Sequence, residues 1–397
     1  MITENPDRGN LGENDMSKDA SQNSIKQMLR KVVPVGRTYV DNRVAKLEKQ
    51  VKKLKEDQEK LKKDYLSELK RRDEWKLREA EFKFLAKGRP IWVIKCPAPE
   101  SPRKVKWGDY HFAVSLKKYL EREGVFCVID CKENWAAESG ADVVVVLRGN
   151  ACYHPDRRNE KTVYIMWNIS HPDQVADEEY ALYDEICVGS HYYAKQLEER
   201  LGRKVHPLLQ CTDTELFYPP ENADETEAPA QDFVFVGNTR EIARNSVLWA
   251  VEDGLPVKIW GMGWEKFLGE HTDLITAQTI ENHLIPDLYR SAKATLNDHW
   301  DDMLDKQFVN NRIFDALACG LPVISDTCDE LRSIFPKAVL HYSTREEYEE
   351  CVRRIRDDYP AVKAEVLAQW PLIQKEYSFA ARASQLKEIA EKHKRFF

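Results

Sequence analysis

The sequence lacks the features that would send the chain out of the cell or into a bilayer. No basic head followed by an apolar run stands at its start, so we expect no secretory signal. Its longest strongly apolar run, residues 141–147, suits a buried strand and is too short to span a membrane. The net charge of −7 argues against a global electrostatic grip on nucleic acid. We therefore expect a cytoplasmic protein that binds no nucleic acid.

Patterns that would indicate disulfides or metal ions are also missing. The nine cysteines have no repeated spacing and several lie in apolar, strand-like runs, so we expect reduced, buried thiols. No C-x-x-C pair and no H-E-x-x-H motif occurs, which leaves no candidate zinc site. No Asp-x-Asp triplet occurs, which argues against enzymes that hold a diphosphate through a divalent metal. The sequence thus predicts no metal ion and no cofactor.

Familiar nucleotide-binding and nucleophile motifs are absent as well. There is no phosphate loop of the G-x-x-x-x-G-K-[ST] type and no G-x-S-x-G elbow. The "GMG" at 261–263 lacks the third glycine of a dinucleotide fingerprint and does not open the first strand–helix unit. These absences exclude the common dehydrogenase, P-loop and hydrolase interpretations.

The N-terminal region is polar and falls into two parts. Residues 1–39 show little periodicity and are expected to be a mobile tail. Over residues 40–86 we predict a coiled-coil stalk that makes a homo-oligomer, because apolar residues recur in alternating steps of four and three. The seam consists of Val40, Val44, Leu47, Val51, Leu54, Gln58, Leu61 and Tyr65. The alternatives are a single solvated helix and a basic helix resting on an acidic membrane surface.

The rest of the chain alternates apolar strands with amphipathic helices, which predicts parallel sheets covered on both faces. The pattern runs over 87–218, stops in a Pro-rich, acidic linker at 219–231 and restarts over 232–376. Residues 377–397 are expected to form a helix that packs back on the N-terminal domain. The predicted fold is α/β, with two Rossmann-like doubly wound domains facing a cleft, preceded by the coiled-coil helix.

The first candidate site opens the second domain, in "VFVGNTREIARNS" (234–246). A strand ends at Gly237, Asn238 can cap a helix, and Arg240 and Arg244 would lie one turn apart on one face of it. A helix N-terminus offers free N–H groups and a positive dipole end to a phosphate, and arginine adds a bidentate grip. In the alternative, the arginines are solvated or pair with Glu241 or Glu252.

The second candidate site is the helix start in "NNRIFDALACGLPVISD" (310–326). Asn310, Asn311 and Arg312 open this helix, and Asp315 stands one turn into it. A carboxylate there, facing the cleft, can accept hydrogen bonds from two vicinal hydroxyls of a ribose or sugar. In the alternative, Asp315 is a first-turn acid that complements the helix dipole.

This stretch resembles the nucleotide-sugar motif of the group-1 glycosyltransferases, especially the CgeB-like branch, whose pattern is roughly N-x-R-x-F-[ED]-A-x-A-x-G. Residues 105–124 and 234–238 are also similar to that branch, and the resemblance covers about residues 90–390. It implies a GT-B architecture in which the C-terminal domain binds most of the donor nucleotide and the N-terminal domain most of the acceptor, usually without metal.

One departure from the family pattern concerns the donor sugar. Many relatives place two glutamates eight positions apart across this motif. Here Asp315 matches the second, whereas Gln307 replaces the first. Asp302 and Asp305 are nearby substitutes between which the sequence does not choose.

Candidate catalytic residues follow strands of the first domain. Asp109 either caps a helix or acts as a base toward an acceptor hydroxyl, and His111 can donate to a phosphate or sugar. His171 can contact the transferred sugar or assist proton transfer, although a histidine before proline is often structural. Arg148, at the end of a strand, could also reach the cleft. The sequence does not identify the base.

The resulting expectation is a metal-independent glycosyltransferase that moves a sugar from a nucleoside diphosphate sugar to a hydroxyl. The acceptor would be a glycan, a lipid-linked intermediate or a protein, and the enzyme could associate peripherally with the inner face of a membrane. The expected donor-binding residues are Gly237, Asn238, Arg240, Arg244, Gly261, Asn311, Arg312 and Asp315. The rival interpretations are a nucleotide-sugar epimerase of the same fold and a non-catalytic coiled-coil scaffold with a degenerate body, which the replaced glutamate favours.

Overall fold

The computed structural model describes residues 27–28, 37–135, 140–155, 161–220, 230–239 and 241–393. Most of the predicted tail, most of the predicted linker and Arg240 lie outside these residues. The chain divides into two compact units, residues 1–74 and 75–397.

Helix α1 (Arg37–Ala86) is 50 residues long and agrees with the helical periodicity of the sequence. Within the first unit, its outer faces carry ion pairs one turn apart, such as Lys52 with Glu56 at 3.9 Å. Its last turns belong to the second unit, where Phe82 and Ala86 are buried in a hydrophobic core. The C-terminal end of α1 is therefore part of the hydrophobic core of the second unit.

The first sheet of that body is six-stranded and wholly parallel, in the order β2-β1-β3-β4-β5-β6. Its strands are β1 (Ile91–Lys95), β2 (Phe126–Asp130), β3 (Val143–Arg148), β4 (Val163–Asn168), β5 (Glu185–Val188) and β6 (His206–Pro207). The helices among them are α2 (Gly108–Arg122), α3 (Asp177–Tyr180) and α4 (His191–Leu201), with 3-10 turns at Pro102–Lys106, Lys132–Asn134 and Pro172–Gln174. Every residue of β3 and β4 is buried, because helices cover both faces of a parallel sheet.

The second sheet is also six-stranded and parallel, in the order β12-β11-β10-β7-β8-β9. Its strands are β7 (Gln231–Val236), β8 (Val257–Trp260), β9 (Ile275–Ala277), β10 (Ala292–Asn297), β11 (Val323–Asp326) and β12 (Val339–Tyr342). The helices between these strands are α5 (Asn245–Glu252), α6 (Glu265–Leu268), α7 (Ile285–Arg290), α8 (Asp301–Asp305), α9 (Asn311–Ala318) and α10 (Asp329–Ile334), with 3-10 turns at Thr272–Leu274 and Asn282–Leu284. After the sheet come α11 (Arg345–Asp357), α12 (Tyr359–Leu367), α13 (Trp370–Glu376) and α14 (Phe379–Glu391).

The last helix returns to the first sheet. Phe379 and Leu386 of α14 join the core that contains Phe112 and Leu116 of α2. The rings of Phe112 and Phe379 meet edge to face, with centroids 4.6 Å apart. The chain therefore crosses between the two sheets twice, before β7 and before α14.

These two crossings touch each other. The backbone N–H of Thr212 donates to the carbonyl of Tyr377, and that of Phe379 donates to the carbonyl of Thr212, each at 3.0 Å. These two hydrogen bonds hold the two crossing segments against each other between the sheets.

The predicted α/β fold with two Rossmann-like sheets and a leading helix is confirmed, with two differences. Strand β9 was not predicted, because three partly exposed residues carry too little apolar signal. The helix predicted from residue 239 is wrong at its start, since α5 begins at Asn245. Glu241 has a φ of 61°, in the left-handed region, and such a residue interrupts a right-handed helix.

Candidate active site

The second sheet changes direction between β7 and β10. From β7 the chain winds outward through β8 and β9, and then it returns to the other side of β7 with β10. Ligands of doubly wound sheets bind outside the carboxyl ends of the strands at such a point. Here that position is bounded by Gly237 after β7, by Asn297 and Asp298 at the end of β10, and by the start of α9.

Arg312 lies at this point, on the first turn of α9. Its Nε donates to the carbonyl of Val236 at 2.9 Å and its Nη1 to Oδ1 of Asn297 at 2.7 Å. The guanidinium also lies over the ring of Phe235, 5.0 Å from its centroid. These contacts fix the guanidinium in one orientation at the switch point.

Two glycines allow the backbone to pass close to this guanidinium. A Cβ on Gly237 would stand 2.6 Å from Nη2 of Arg312, and a Cβ on Gly261 would overlap the carbonyl of Gly237. Exposed Asn238 holds the turn between them, because its Oδ1 accepts from the N–H of Met262 at 2.8 Å. Gly237, Asn238 and Gly261 thus shape the edge on which the predicted donor would lie.

Arg244 is placed differently from the prediction. It precedes α5 instead of lying on it, and it is buried. Its Nε donates to Oδ1 of Asp298 at 2.6 Å, and its Nη1 donates to the carbonyl of Asn238 at 3.0 Å. Neither of the alternative partners, Glu241 and Glu252, pairs with it in the described structure: Arg244 forms a buried ion pair with Asp298 and fixes the turn after β7.

The charge at this edge is unbalanced. Within the described part of the chain, no carboxylate oxygen lies within 4.0 Å of the Arg312 guanidinium, whereas Arg244 has Asp298. Burial, and then the neighbouring Arg244, lower the pKa of Arg312. A partly buried cation without a carboxylate partner carries a desolvation cost, and an anionic ligand would relieve that cost.

Asn310, the residue before α9, leaves a second opening for a ligand. Its Nδ2 donates to Oδ1 of Asn297 at 3.0 Å and to the carbonyl of Asp298 at 3.3 Å. Its Oδ1 is buried and has no hydrogen-bond partner in the described structure. A buried acceptor without a donor is rare in native proteins, so a ligand hydroxyl or N–H is a natural partner for it.

A buried His–Asp pair supports Asn310 from behind. The Nδ1 of His299 lies 2.6 Å from Oδ1 of Asp326, and the backbone N–H of Asn310 donates to Nε2 of His299 at 3.4 Å. Although burial alone would raise the pKa of Asp326, the charge and hydrogen bonds of His299 hold it below the ordinary value. The pair therefore joins the ends of β10 and β11 to the start of α9.

Asp315 faces the crossing between the sheets. Its Oδ1 accepts from Oγ1 of Thr212 at 2.6 Å, and on the same helix Nδ2 of Asn311 donates to the carbonyl of Cys211 at 2.7 Å. Burial raises the pKa of the Asp315 carboxyl to about 7. The start of α9 thus contacts the switch point through Arg312 and the crossing through Asn311 and Asp315.

On the first sheet, Asp109 lies in the opening turn of α2. It is not the helix cap, since Trp107 precedes the helix and makes no side-chain cap. Its Oδ1 lies 4.0 Å from the Cβ position of Gly149, which follows β3, and Ser170 Oγ is 3.2 Å from the same position. Burial raises the pKa of the Asp109 carboxyl to about 6. A carboxyl that titrates near neutrality is suited to proton transfer.

The two candidate histidines have different surroundings. The Nε2 of His111 lies 2.7 Å from the carbonyl of Val105, so that nitrogen serves a local turn. His171 has a φ of 52° and lies before the turn at Pro172–Gln174. Its Nδ1 lies 3.8 Å from Oδ2 of Asp302, and its ring meets Trp300 edge to face at 5.1 Å. His171 therefore meets the second sheet's α8, at Asp302 and not at the exposed Asp305.

Two further candidates are occupied by other contacts. Arg148 is buried and forms an ion pair with Glu179 at 2.7 Å, so it does not reach toward a cleft. The side-chain oxygen of Gln307 accepts from the backbone N–H of Glu330 at 3.0 Å. Glu330 in turn accepts from the backbone N–H of His191, at the start of α4, at 2.9 Å. Gln307 thus supports a contact between the two sheets.

Some residues at the site were not predicted. They are Asn297, Asp298, His299, Asp326 and Thr212. The first three form the run "NDH", in which Asn297 ends the apolar strand β10, and a polar run at the end of a buried strand is a usable signal for a strand-end site. Asp326 and Thr212 gain their roles from strand order and from the crossing, which the sequence pattern does not display.

The described residues lack two features that concern metal and membrane. No group of three or more His, Cys, Asp or Glu side chains is arranged to hold a metal ion in that part of the chain. In the same residues, no helix has the length and apolar character needed to cross a bilayer.

Comparison with known proteins agrees with this architecture. Residues 240–388 match a family model described as glycosyl transferase-like, and no curated protein sequence matches the chain. Sucrose-phosphate synthase from Thermosynechococcus elongatus has a TM-score of 0.54 at 12% identity, over 77% of this chain and 99% of that one. HepE from Anabaena, in complex with UDP, has a TM-score of 0.51 at 10% identity, over 76% of this chain and 100% of its own.

Identities this low show a shared fold alone, and the family match covers the C-terminal domain. The CgeB-like branch suggested by the motif stays a prediction. Residues 240–388 are therefore glycosyl transferase-like, and the chain shares its two-sheet fold with sucrose-phosphate synthase and HepE.

Proposed function

We propose that the chain transfers a glycosyl group from a nucleoside diphosphate sugar to a hydroxyl acceptor without a metal ion. The observation that carries the proposal is Arg312, a partly buried guanidinium at the switch point that has no carboxylate within 4.0 Å among the described residues. The diphosphate of the donor supplies the missing negative charge. HepE, which has the same fold, is known in complex with UDP.

In this proposal Arg312 acts most strongly as the glycosidic bond breaks. Charge grows on the leaving diphosphate at that moment, and a preoriented guanidinium stabilises it more than it stabilises the intact donor. The start of α9 contributes its dipole to the same end, and Arg240, outside the described residues, remains a candidate second cation. Protein cations then replace the divalent metal, so turnover should persist in EDTA.

The donor's ribose or sugar would bind beside the diphosphate. The unpartnered Oδ1 of Asn310 accepts from a hydroxyl there. Asp315 uses Oδ1 for Thr212, and its second oxygen accepts from the ribose, as the sequence motif suggested. Because Asp315 also touches the crossing segment, donor binding and the relative position of the two sheets would be linked.

On the opposite side, Asp109 would take the proton of the acceptor hydroxyl. Its pKa of about 6 leaves the carboxylate ionised at neutral pH yet basic enough to accept a proton. His171, held against Asp302 and Trp300, would orient the transferred sugar. The proposed acceptor is a glycan, a lipid-linked intermediate or a protein, reached in the cytoplasm, including at the inner face of a membrane.

The test is release of nucleoside diphosphate from a panel of nucleotide sugars by the full chain, its Arg312→Gln variant and an Arg356→Gln control. Arg356 is exposed on α11. We expect Arg312→Gln to lower kcat by about 10²- to 10³-fold, the effect of removing one donor to a developing anion. Full activity of Arg312→Gln, with the control also active, would contradict the proposal.

Two results would favour the rival functions. Conversion of a donor into an isomer in the absence of acceptor would indicate an epimerase. Failure of calorimetry to detect binding of any nucleoside diphosphate would indicate the scaffold, which the replacement of a glutamate by Gln307 favours.

A further inference from the structure

Helix α1 carries an apolar stripe that stays in contact with solvent. Five of its residues, all within the first compact unit, keep about half or more of their surface exposed. They are Leu47 (53%), Val51 (47%), Leu54 (67%), Leu61 (70%) and Tyr65 (62%). A long polar helix gains stability mainly by covering such a stripe, so its exposure indicates a missing partner.

The stripe follows a heptad repeat with a definite choice of residue shape. Val44 and Val51 occupy the first apolar position of each heptad, and Leu47, Leu54 and Leu61 occupy the second. A β-branched residue at the first position with leucine at the second favours two parallel strands over three or four. The residue shapes therefore indicate both the number and the direction of the strands.

Gln58, a polar residue in the same heptad series, also favours the parallel arrangement. It occupies a first position, between Val51 and Tyr65. In a parallel, in-register pair, Gln58 meets its own copy and the two amides can hydrogen-bond. In an antiparallel pair, first positions face second positions, so Gln58 would meet a leucine or another unlike residue and lose that partner. A buried, unpaired amide is costly, and a polar residue at a first position is a known determinant of register.

Charges beside the stripe fit the same arrangement. In a parallel pair, the residue just before a first position lies near a residue of the partner helix that is five positions further along the sequence. That residue comes just after the next second position. This rule brings Arg43 near Glu48 and Asp57 near Lys62, and the charges in each of these two pairs are opposite. Gln50 comes near Lys55, where no repulsion arises because Gln50 is uncharged. The ion pair of Lys52 with Glu56 lies outside the stripe, where it leaves the apolar face open.

We propose that residues 44–65 bind the same residues of a second copy of this chain as a parallel, in-register, two-stranded coiled coil. The paired length is about 33 Å at 1.5 Å per residue. The partner is the chain itself because every seam residue then meets its own kind. The proposal concerns the first compact unit and does not depend on the catalytic function.

Sedimentation equilibrium of the full chain tests the number of strands. We expect a mass of two chains for the wild type, one chain for Leu54→Asp in the seam and two chains for Lys53→Asp, its neighbour on an outer face. Both substitutions place an aspartate on the exposed helix, so the contrast isolates the seam. A wild-type mass of one or three chains, or a dimer that survives Leu54→Asp, would overturn the proposal.

Cysteine cross-linking of the full chain tests the direction. Cys152 is exposed and is first replaced by serine to remove its contribution. In that background, oxidised glutathione should join the two copies through Leu47→Cys and not through Lys46→Cys, which faces outward. In an antiparallel pair centred near Leu54, the two residues 47 would lie roughly 20 Å apart. A dimer in which Leu47→Cys forms no intermolecular disulfide would therefore overturn the parallel arrangement.

Discussion

The edges at the strand ends of the two sheets carry different charged groups. At the second sheet, the buried Arg244 and the partly buried Arg312 are cations held by several hydrogen bonds, and only Arg244 has a carboxylate partner in the described structure. At the first sheet, the Asp109 carboxyl has no hydrogen-bond partner among the described residues, and burial raises its pKa to about 6. In the proposed function, the edge of the second sheet receives an anion and the edge of the first sheet exchanges a proton.

The difference suggests how such a molecule separates its two substrates. A diphosphate has the same geometry in every nucleotide sugar, so a rigid cationic fork can be fixed by packing. In the proposed reaction the acceptor hydroxyl must lose its proton, and a carboxyl with a pKa of about 6 can accept it. Two properties can be tested: the rigidity of the arginine edge of the second sheet and the change of protonation at Asp109 in the first.

The largest expected effect is at the edge of the first sheet. Asp109→Asn keeps the shape of the side chain and removes the base, so kcat should fall by about 10²- to 10⁴-fold. Because the wild-type carboxylate must be ionised, its kcat should decline as pH falls through about 6, and the residual activity of the variant should lack that decline. Rates measured from pH 5 to 8 at saturating donor check both statements.

The control for this substitution is Glu121→Gln on the same helix, an acid paired with Lys117 on the surface. It should leave the pH profile unchanged. If Asp109→Asn turns over at the wild-type rate, Asp109 is only a first-turn acid of α2, and the two edges no longer differ in the way described.

The second prediction tests rigidity at the cationic edge. Gly261→Ala places a methyl group against the carbonyl of Gly237, so the turn below Arg312 must shift. We expect a loss of roughly 1–3 kcal/mol in stability, as for an overpacked core, together with weaker donor binding. Thermal melting and calorimetry with the preferred donor measure the two effects.

Gly108→Ala is the matched control, because a Cβ there meets nothing within 4 Å. It should melt at the wild-type temperature or slightly above, since alanine reduces the freedom of the unfolded chain. Unchanged donor affinity in Gly261→Ala would mean that the edge is less rigid than its contacts indicate.

The smallest expected effect concerns Asp315, which lies between the two regions. Its pKa is about 7 in the folded chain and 3.8 for the free side chain, so the folded state holds a proton that the unfolded state has released between these values. This group's contribution to stability is therefore largest below about pH 4 and is lost as pH rises through about 7.

Asp315→Asn removes that titration. The melting temperature of the variant relative to the wild type should therefore rise between pH 4 and 8, by roughly 2–5 °C. Thr212→Val, which removes only the hydroxyl donor to Asp315, keeps the carboxyl and hence a wild-type direction of pH dependence. A difference that stays constant with pH would show that Asp315 is already ionised at pH 4.

Most of the fold could be predicted because the central strands are buried on both faces. Continuous apolar runs such as those of β3 and β4 leave little choice about where a parallel strand lies. The start of α5 could not be predicted in the same way. "TREIAR" has acceptable helical residues, and the turn exists because Glu241 takes a left-handed conformation and Arg244 reaches across to Asp298.

For the candidate site, the sequence indicates the helix and not its surroundings. Arg312 and Asp315 could be selected from the motif, since both lie on one short helix. Their neighbours come from distant segments: Asn297 and Asp298 from the end of β10, and Thr212 from the first crossing. Such neighbours depend on strand order, which local periodicity does not contain.

The return of α14 to the first sheet has a consequence for synthesis of the protein. The core around Phe112 and Leu116 is completed by Phe379 and Leu386, which are translated more than 250 residues after α2 ends at Arg122. At ordinary elongation rates that interval is on the order of ten seconds to a minute. During it the nascent first domain has an uncovered apolar face that needs protection, so a ribosome that stalls before Phe379 would leave a chain whose earliest domain is the unfinished one.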